Sequence, residues 1–216
     1  MKKQPGLLRK WFIKIYLWAA ERLYHQFAWA YEAVAWLVSL GYWSGWRVDA
    51  LNYVGSGRII ELGCGTGALL MEMQDLGYDV VGVEPSRQML RILVRRARQK
   101  GQAVRFVRGY AQSVPFGSGC FETVLSTFPS NYILQAKTFT EVHRILTPKG
   151  RWVIVGLGVV FKSVFHRWLT GLVFGNFNRA ALDQFSKRAE ENGFSAQWVD
   201  HEMRNYTLPI LILEKP

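Results

Sequence analysis

A chain of 216 residues, half of them hydrophobic, can bury one substantial core and is too apolar for global disorder. Its net charge of +11 asks for an anionic counterpart, and nucleic acid and lipid headgroups are the two classes to weigh. Two cysteines, Cys64 and Cys120, make no pair with metal-ligand spacing, so no metal is expected, and a disulfide from inside a glycine loop would be awkward; a reducing, cytoplasmic setting is the simplest reading.

The first segment crowds Lys2, Lys3, Arg9, Lys10 and Lys14 among Leu7, Leu8, Trp11, Phe12, Ile13, Tyr16, Leu17 and Trp18. That is the pattern of a basic amphipathic helix lying on an anionic membrane surface, which would attach the protein peripherally to the inner face of the membrane. The uncharged stretch AVAWLVSLGYWSGW, 33–46, is short for a membrane span and reads as a buried or interfacial helix. The basic start is not followed by the apolar core and small-residue cleavage site of a signal peptide. Residues 1–57 hold six of the nine tryptophans and form an aromatic-rich helical extension. Its expected roles are a lid over a pocket, a membrane-contacting face, or packing, the usual fate of aromatic residues at helical spacing.

From residue 58 onward short β-rich runs alternate with helical ones, predicting a doubly wound α/β domain over 58–216 with a mostly parallel, seven-stranded sheet. The strands are expected at 58–62, 79–83, 104–107, 123–126, 152–155, 196–200 and 207–214, and the helices at 68–76, 87–100, 137–146 and 179–192. Gly77, Gly101 and Gly193 stand where helices end, and Pro148 with Gly150 interrupts the chain before the fifth strand.

The stretch RIIELGCGTGALL, 58–70, places Gly63, Gly65 and Gly67 at alternate positions between the first strand and its helix. Such a turn lets backbone N–H groups and the positive helix end face an anionic or polar ligand. The spacing departs from the G-x-G-x-x-G of nicotinamide-binding turns, and an acid, Glu61, precedes it. The following run DVVGVEPS puts Glu84 at the carboxyl end of the second strand, where a carboxylate can accept both hydroxyls of a ribose.

These two motifs, with GYAQSVPF (109–116), FETVLS (121–126) and EVHRILTPKGRWVIV (141–155), resemble the class I S-adenosylmethionine-dependent methyltransferases. The similarity is to the small-molecule branch that includes the ubiquinone/menaquinone C-methyltransferases, and it implies a Rossmann-like methyltransferase fold with S-adenosyl-L-methionine as cofactor. It further implies that Glu61 and the loop of Gly63, Cys64, Gly65 and Gly67 hold the methionine part. Glu84 would take the ribose diol, Pro85, Ser86 and Met89 would flank the adenine, and Ala111 and Gln112 would line its edge. Ser126, Thr127 and Phe128 would lie below the reactive methyl. One departure stands out, because Tyr110 occupies a position where the family usually has an acid; Gln112 or the backbone is left to accept the adenine amino group.

Methyl transfer from a sulfonium is an in-line displacement, so alignment and exclusion of water do most of the work and a base is needed only when the acceptor must lose a proton. His25 in the extension and Tyr132 after the fourth strand are the candidate catalytic residues, with Tyr24, Tyr31, Phe128 and Asn131 as further acceptor contacts. The apolar, weakly basic segment 159–177 and the N-terminal helix together point to a small lipophilic acceptor, a quinone precursor or lipid, presented from the membrane. RNA methylation is the chief rival on charge grounds. Against it, TFPSNY lacks the Asn/Asp-Pro-Pro-aromatic arrangement that holds an exocyclic base amine, and Cys120 precedes its strand, so nucleic acid is an improbable partner. A non-catalytic, membrane-associated cofactor-binding protein is the remaining alternative.

Overall fold

The computed structural model describes residues 39, 41–163 and 179–216. The basic segment 1–18, the residues Tyr24, His25 and Tyr31, and most of segment 159–177 lie outside them. Within the described residues a short helix α1 (Trp43–Asp49) and a 3-10 turn (Ala50–Tyr53) lead into the sheet. There follow β1 (Arg58–Leu62), α2 (Ala68–Asp75), β2 (Asp79–Glu84), α3 (Arg87–Lys100), β3 (Phe106–Arg108) and β4 (Phe121–Thr127). A 3-10 turn (Asn131–Leu134), α4 (Ala136–Ile145), β5 (Leu146–Val155), β6 (Val160–Phe161), α5 (Arg179–Glu191), β7 (Ser195–Glu202) and β8 (Tyr206–Glu214) complete the chain.

The strands form one sheet in the order β3-β2-β1-β4-β5-β8, parallel through β5, with β8 antiparallel to β5 and β7 antiparallel to β8. The order reverses between β1 and β4, the position where an open α/β sheet leaves a crevice at the carboxyl ends of its strands. Each predicted strand has an observed counterpart. The eighth, β6, pairs only Val160 and Phe161 with Thr207 and Tyr206, too short a run to leave a periodic signal.

Both faces of the central strands are buried, which is why β1, β2, β4, the end of β5 and β8 read as apolar runs, whereas β7 alternates. Ile60, Val124, Trp152, Ile154 and Leu211 face one layer with Phe139, Val142 and Ile145 of α4 and Phe185 and Ala189 of α5. Ile59, Leu125, Val153, Val155 and Ile210 face the other with Leu69, Leu70 and Met73 of α2, Leu90 and Leu93 of α3, and Trp46 of α1. The predicted interruption at Pro148 and Gly150 lies inside β5. Pairing with β4 jumps there from Phe121 and Leu146 to Thr123 and Arg151, so residues 147–150 bulge from the ladder with Lys149 at φ 61°.

Candidate active site

The crevice is built at the junction of three strand ends. After Leu62 the N–H groups of Gly63 and Cys64 both donate to the Val83 carbonyl, at 2.8 and 3.2 Å, tying the glycine turn to β2. Gly63, Gly65 and Gly67 all adopt positive φ, but their surroundings differ. A Cβ on Gly67 would sit 2.5 Å from Cγ of Leu93, so this glycine lets α3 approach the start of α2. A Cβ on Gly65 would meet nothing within 4 Å, and its open side is where a ligand can come close to the backbone. Gly82 in β2 serves the same turn from below: a Cβ there would lie 2.7 Å from the Cys64 sulfur. Glycine inside a strand marks such a close approach, and this signal was available in the sequence. Burial pushes the Cys64 thiol pKa well up, as do Glu61 and Glu84 nearby, which leaves the side chain a packing group.

Two carboxyl groups face this turn. Glu84 ends β2 fully buried; its Oε2 accepts from Gly65 N–H at 3.1 Å and its Oε1 from Ser86 N–H at 2.8 Å. It therefore holds the glycine turn to the start of α3, whose N-terminus Ser86 caps by accepting from Met89 N–H. Glu61 is also buried, and Thr127 donates to its Oε1 at 3.4 Å. Its Oε2 is buried without a hydrogen-bond partner. Burial raises its pKa from the ordinary 4.5 to about 7, Arg47 of α1 and Thr127 pull it back, and Glu84 adds to the rise. An unpartnered carboxyl oxygen near the open side of Gly65, with a second acid close enough to repel it, suits a cationic ligand that carries hydroxyl groups.

Comparison with known proteins is consistent with that chemistry. The family profile of the methyltransferase domain matches residues 59–150. A demethylmenaquinone methyltransferase of Thermus thermophilus is 33% identical over 172 residues, covering 72% of this chain and 78% of that protein. A ubiquinone/menaquinone biosynthesis C-methyltransferase of a Geobacter species is 27% identical over 72% of this chain and 73% of its own length. The chain belongs to the class I S-adenosylmethionine-dependent methyltransferases. Geranyl diphosphate C-methyltransferase from Streptomyces coelicolor, solved with S-adenosyl-L-homocysteine, shares the fold at a TM-score of 0.59 with 17% identity over 80% of this chain and 79% of its own. The small-molecule branch expected from the motifs is thereby established, and the methyl donor of the family is S-adenosyl-L-methionine.

Around this crevice of the methyltransferase the remaining predicted residues take distinct places. Tyr132 donates its hydroxyl to the Leu62 carbonyl at 2.8 Å, and its ring lies against Gly63. Burial raises the phenol pKa well above its usual range, so the group is held protonated as a donor. Ser126 is fully buried, its Oγ accepts from the Trp152 indole N–H at 3.0 Å, and it also hydrogen-bonds the Tyr132 hydroxyl. Phe128 follows β4 at φ 49°, its ring 5.7 Å from that of Trp46 and over Gly156, where no Cβ would fit. Gln112 donates its amide N–H to Oε1 of Gln135 at 3.0 Å, which fixes the amide and turns its oxygen away from Gln135. Ala111 is buried beside it, whereas Tyr110 is 64% exposed. The Pro85 carbonyl accepts from Arg108 Nε at 3.0 Å, and Met89, in the first turn of α3, is fully buried.

Two residues at the site and one at the β7–β8 hairpin owe their place to folding rather than to any motif. Arg47 and Trp46 belong to α1, far from the motifs in sequence, and reach Glu61 and Phe128 only through folding. His201, for which the sequence offered no partner, accepts or donates at Nδ1 with Tyr53 at 3.0 Å and lies 3.5 Å from Asp49 through Nε2. Asp49 in turn accepts from Tyr206 at 3.0 Å, so this cluster fastens α1 to the hairpin of β7 and β8. Among the described residues no group of three His, Cys, Asp or Glu side chains forms a metal site, and no helix is long and apolar enough to cross a membrane.

Proposed function

We propose that this methyltransferase acts on a small lipophilic acceptor, a quinone precursor or a lipid, taken from an anionic membrane surface. The observation that carries the donor half of this reading is the unpartnered buried oxygen of Glu61 beside the open turn at Gly65. The acceptor half is supported by relatives named for demethylmenaquinone and ubiquinone/menaquinone methylation.

S-adenosylmethionine supplies an electrophilic methyl group on a sulfonium. In this reading Glu61 takes the cationic amino group of the methionine end, and the open side of Gly65 lets that end approach the turn. Glu84 keeps its hydrogen bonds from Gly65 and Ser86 and accepts the ribose hydroxyls with its remaining lone pairs. Pro85, Ser86 and Met89 flank the adenine, Ala111 and the Gln112 oxygen meet its edge, and Thr127 and Phe128 shape the floor under the reacting methyl. Ser126 and Tyr132 act one layer back: Tyr132 pins the Leu62 carbonyl at the entry to the turn. His25 supplies the base when the acceptor has a proton to lose. The basic helix at 1–18 brings the pocket to the membrane, and segment 159–177 shapes the acceptor side.

Calorimetric titration with S-adenosylhomocysteine tests the donor assignment. Glu84→Ala should weaken binding by tenfold or more; equal affinity for the two proteins would show that the site lies elsewhere. Incubation with labelled S-adenosylmethionine and a lipid extract or total RNA tests the acceptor. Label in the lipid fraction supports the proposal, label in RNA favours the rival enzyme, and label in neither favours a binding protein. Deleting residues 1–20 should release the protein from membranes, and unchanged retention would remove that helix as the anchor.

A further inference from the structure

Among the described residues, helix α3 carries a strongly one-sided row of charge. Its sequence RQMLRILVRRARQK holds five arginines and a lysine and no acid or aromatic residue. Met89, Leu90, Leu93 and Ala97 face the core, while Arg87, Arg91, Arg95 and Arg98 are all exposed. At about 100° per residue these four project within an arc of about 80°, in a row about 16 Å long. They line a shallow open groove with Leu90 and Val94 along its apolar floor.

The cations elsewhere on the sheet edges have partners: Arg58 and Arg105 meet Asp79, Arg144 meets Glu141, Arg151 meets Glu214 and Lys162 meets Glu202. The four arginines of the row have no carboxylate within ion-pair distance among the described residues. The arrangement works against the helix that carries it. Arg87 and Arg91, and Arg91 and Arg95, are like charges one turn apart, and Arg87 stands in the first turn, where the helix dipole disfavours a cation. A face needed only for solubility would mix signs. The row becomes favourable when an external plane of anions supplies the missing charge.

We propose that the outer face of α3 is a docking surface for the headgroups of an anionic lipid bilayer, separate from the N-terminal basic helix. A straight, single-sided row of guanidinium groups over an apolar floor matches a plane of phosphates above acyl chains. Single-stranded nucleic acid, the other polyanion, is gripped by stacking on aromatic rings, and α3 has none to offer. The row begins at Arg87, directly after Glu84, Pro85 and Ser86, so a bilayer lying on it meets the molecule beside the rim of the donor crevice. The docking claim concerns the surface alone and does not depend on which acceptor is methylated.

The test uses the full chain with all four arginines replaced by Gln, and a second protein with all four replaced by Lys. Sedimentation with phosphatidylcholine vesicles containing phosphatidylglycerol should show partitioning reduced on the order of a hundredfold in the Arg→Gln protein. The Arg→Lys protein should stay within about threefold of wild type, since lysine keeps the charge. Both should bind S-adenosylhomocysteine like wild type, which separates this outcome from a failed donor site. Unchanged partitioning of the Arg→Gln protein, or an equal loss in the Arg→Lys protein, overturns the proposal. So does a result in which the Arg→Gln changes abolish binding of a single-stranded RNA but spare binding to vesicles.

Discussion

Glu61 places a carboxyl group where water cannot reach it, with one oxygen left over. Because its folded pKa is about 7 against an ordinary 4.5, the ligand-free fold holds a proton that the unfolded chain gives up. The folded state binds more protons between those values, so stability falls as pH rises through that window and the loss is complete above about pH 7. The shift corresponds to about 3 kcal/mol. Glu61→Gln should erase this pH dependence: urea unfolding at pH 5 and pH 8 should show the wild type losing about that much more than the variant. A cation placed on the spare oxygen reverses the preference. Affinity for S-adenosylmethionine should therefore rise from pH 5.5 to 7.5, with proton release visible when calorimetry is repeated in buffers of different ionisation enthalpy. Glu61→Gln should flatten that rise.

At the scale of elements, the glycine turn divides its work between two residues that look alike in the sequence. Gly67 at φ 73° faces Leu93 of α3, and Gly65 at φ 55° faces open space. Gly67→Ala carries both the left-handed backbone cost and an overpacked contact, together about 2 to 4 kcal/mol of unfolding free energy in denaturant titration. Gly65→Ala should cost only about 1 to 2 kcal/mol of stability, from the backbone alone. Its methyl group would occupy the ligand's approach, so S-adenosylhomocysteine affinity should fall tenfold or more. Equal effects of the two substitutions on stability would contradict the packing described for α2 and α3.

For the whole molecule, one polar cluster decides how α1 is fastened. Asp49 accepts from Tyr206 and lies beside His201, and His201 meets Tyr53, linking residues 49 and 53 to β7 and β8 across the end of the sheet. Tyr206 is 4% exposed, so removing its acceptor leaves a buried hydroxyl unsatisfied. Asp49→Ala should lower stability by about 1 to 3 kcal/mol. It should also speed amide exchange across residues 43–53 while leaving β1 and β4 protected, since the strands are held by their own ladder. Loosening α1 also moves Arg47, which draws the Glu61 pKa down, so the titration of Glu61 should shift upward in the same variant.

The order of strands and helices, the glycine turn and the acid at the end of β2 were legible in the sequence because each follows from local pattern: apolar runs of strand length, helical spacing and glycine between them. Those signals put Gly65 and Glu84 at neighbouring strand ends, since consecutive strands of a doubly wound sheet end side by side, and the resemblance to the methyltransferases added Glu61. What the tertiary structure alone decided is how that crevice is finished. The pairing of Trp46 with Phe128, the partnership of His201 with Asp49, and the burial that lifts Glu61 depend on residues from separate elements. Such contacts leave no periodicity behind them, because they are set by which surfaces pack together and by the loss of water between them, not by the spacing of residues along one element.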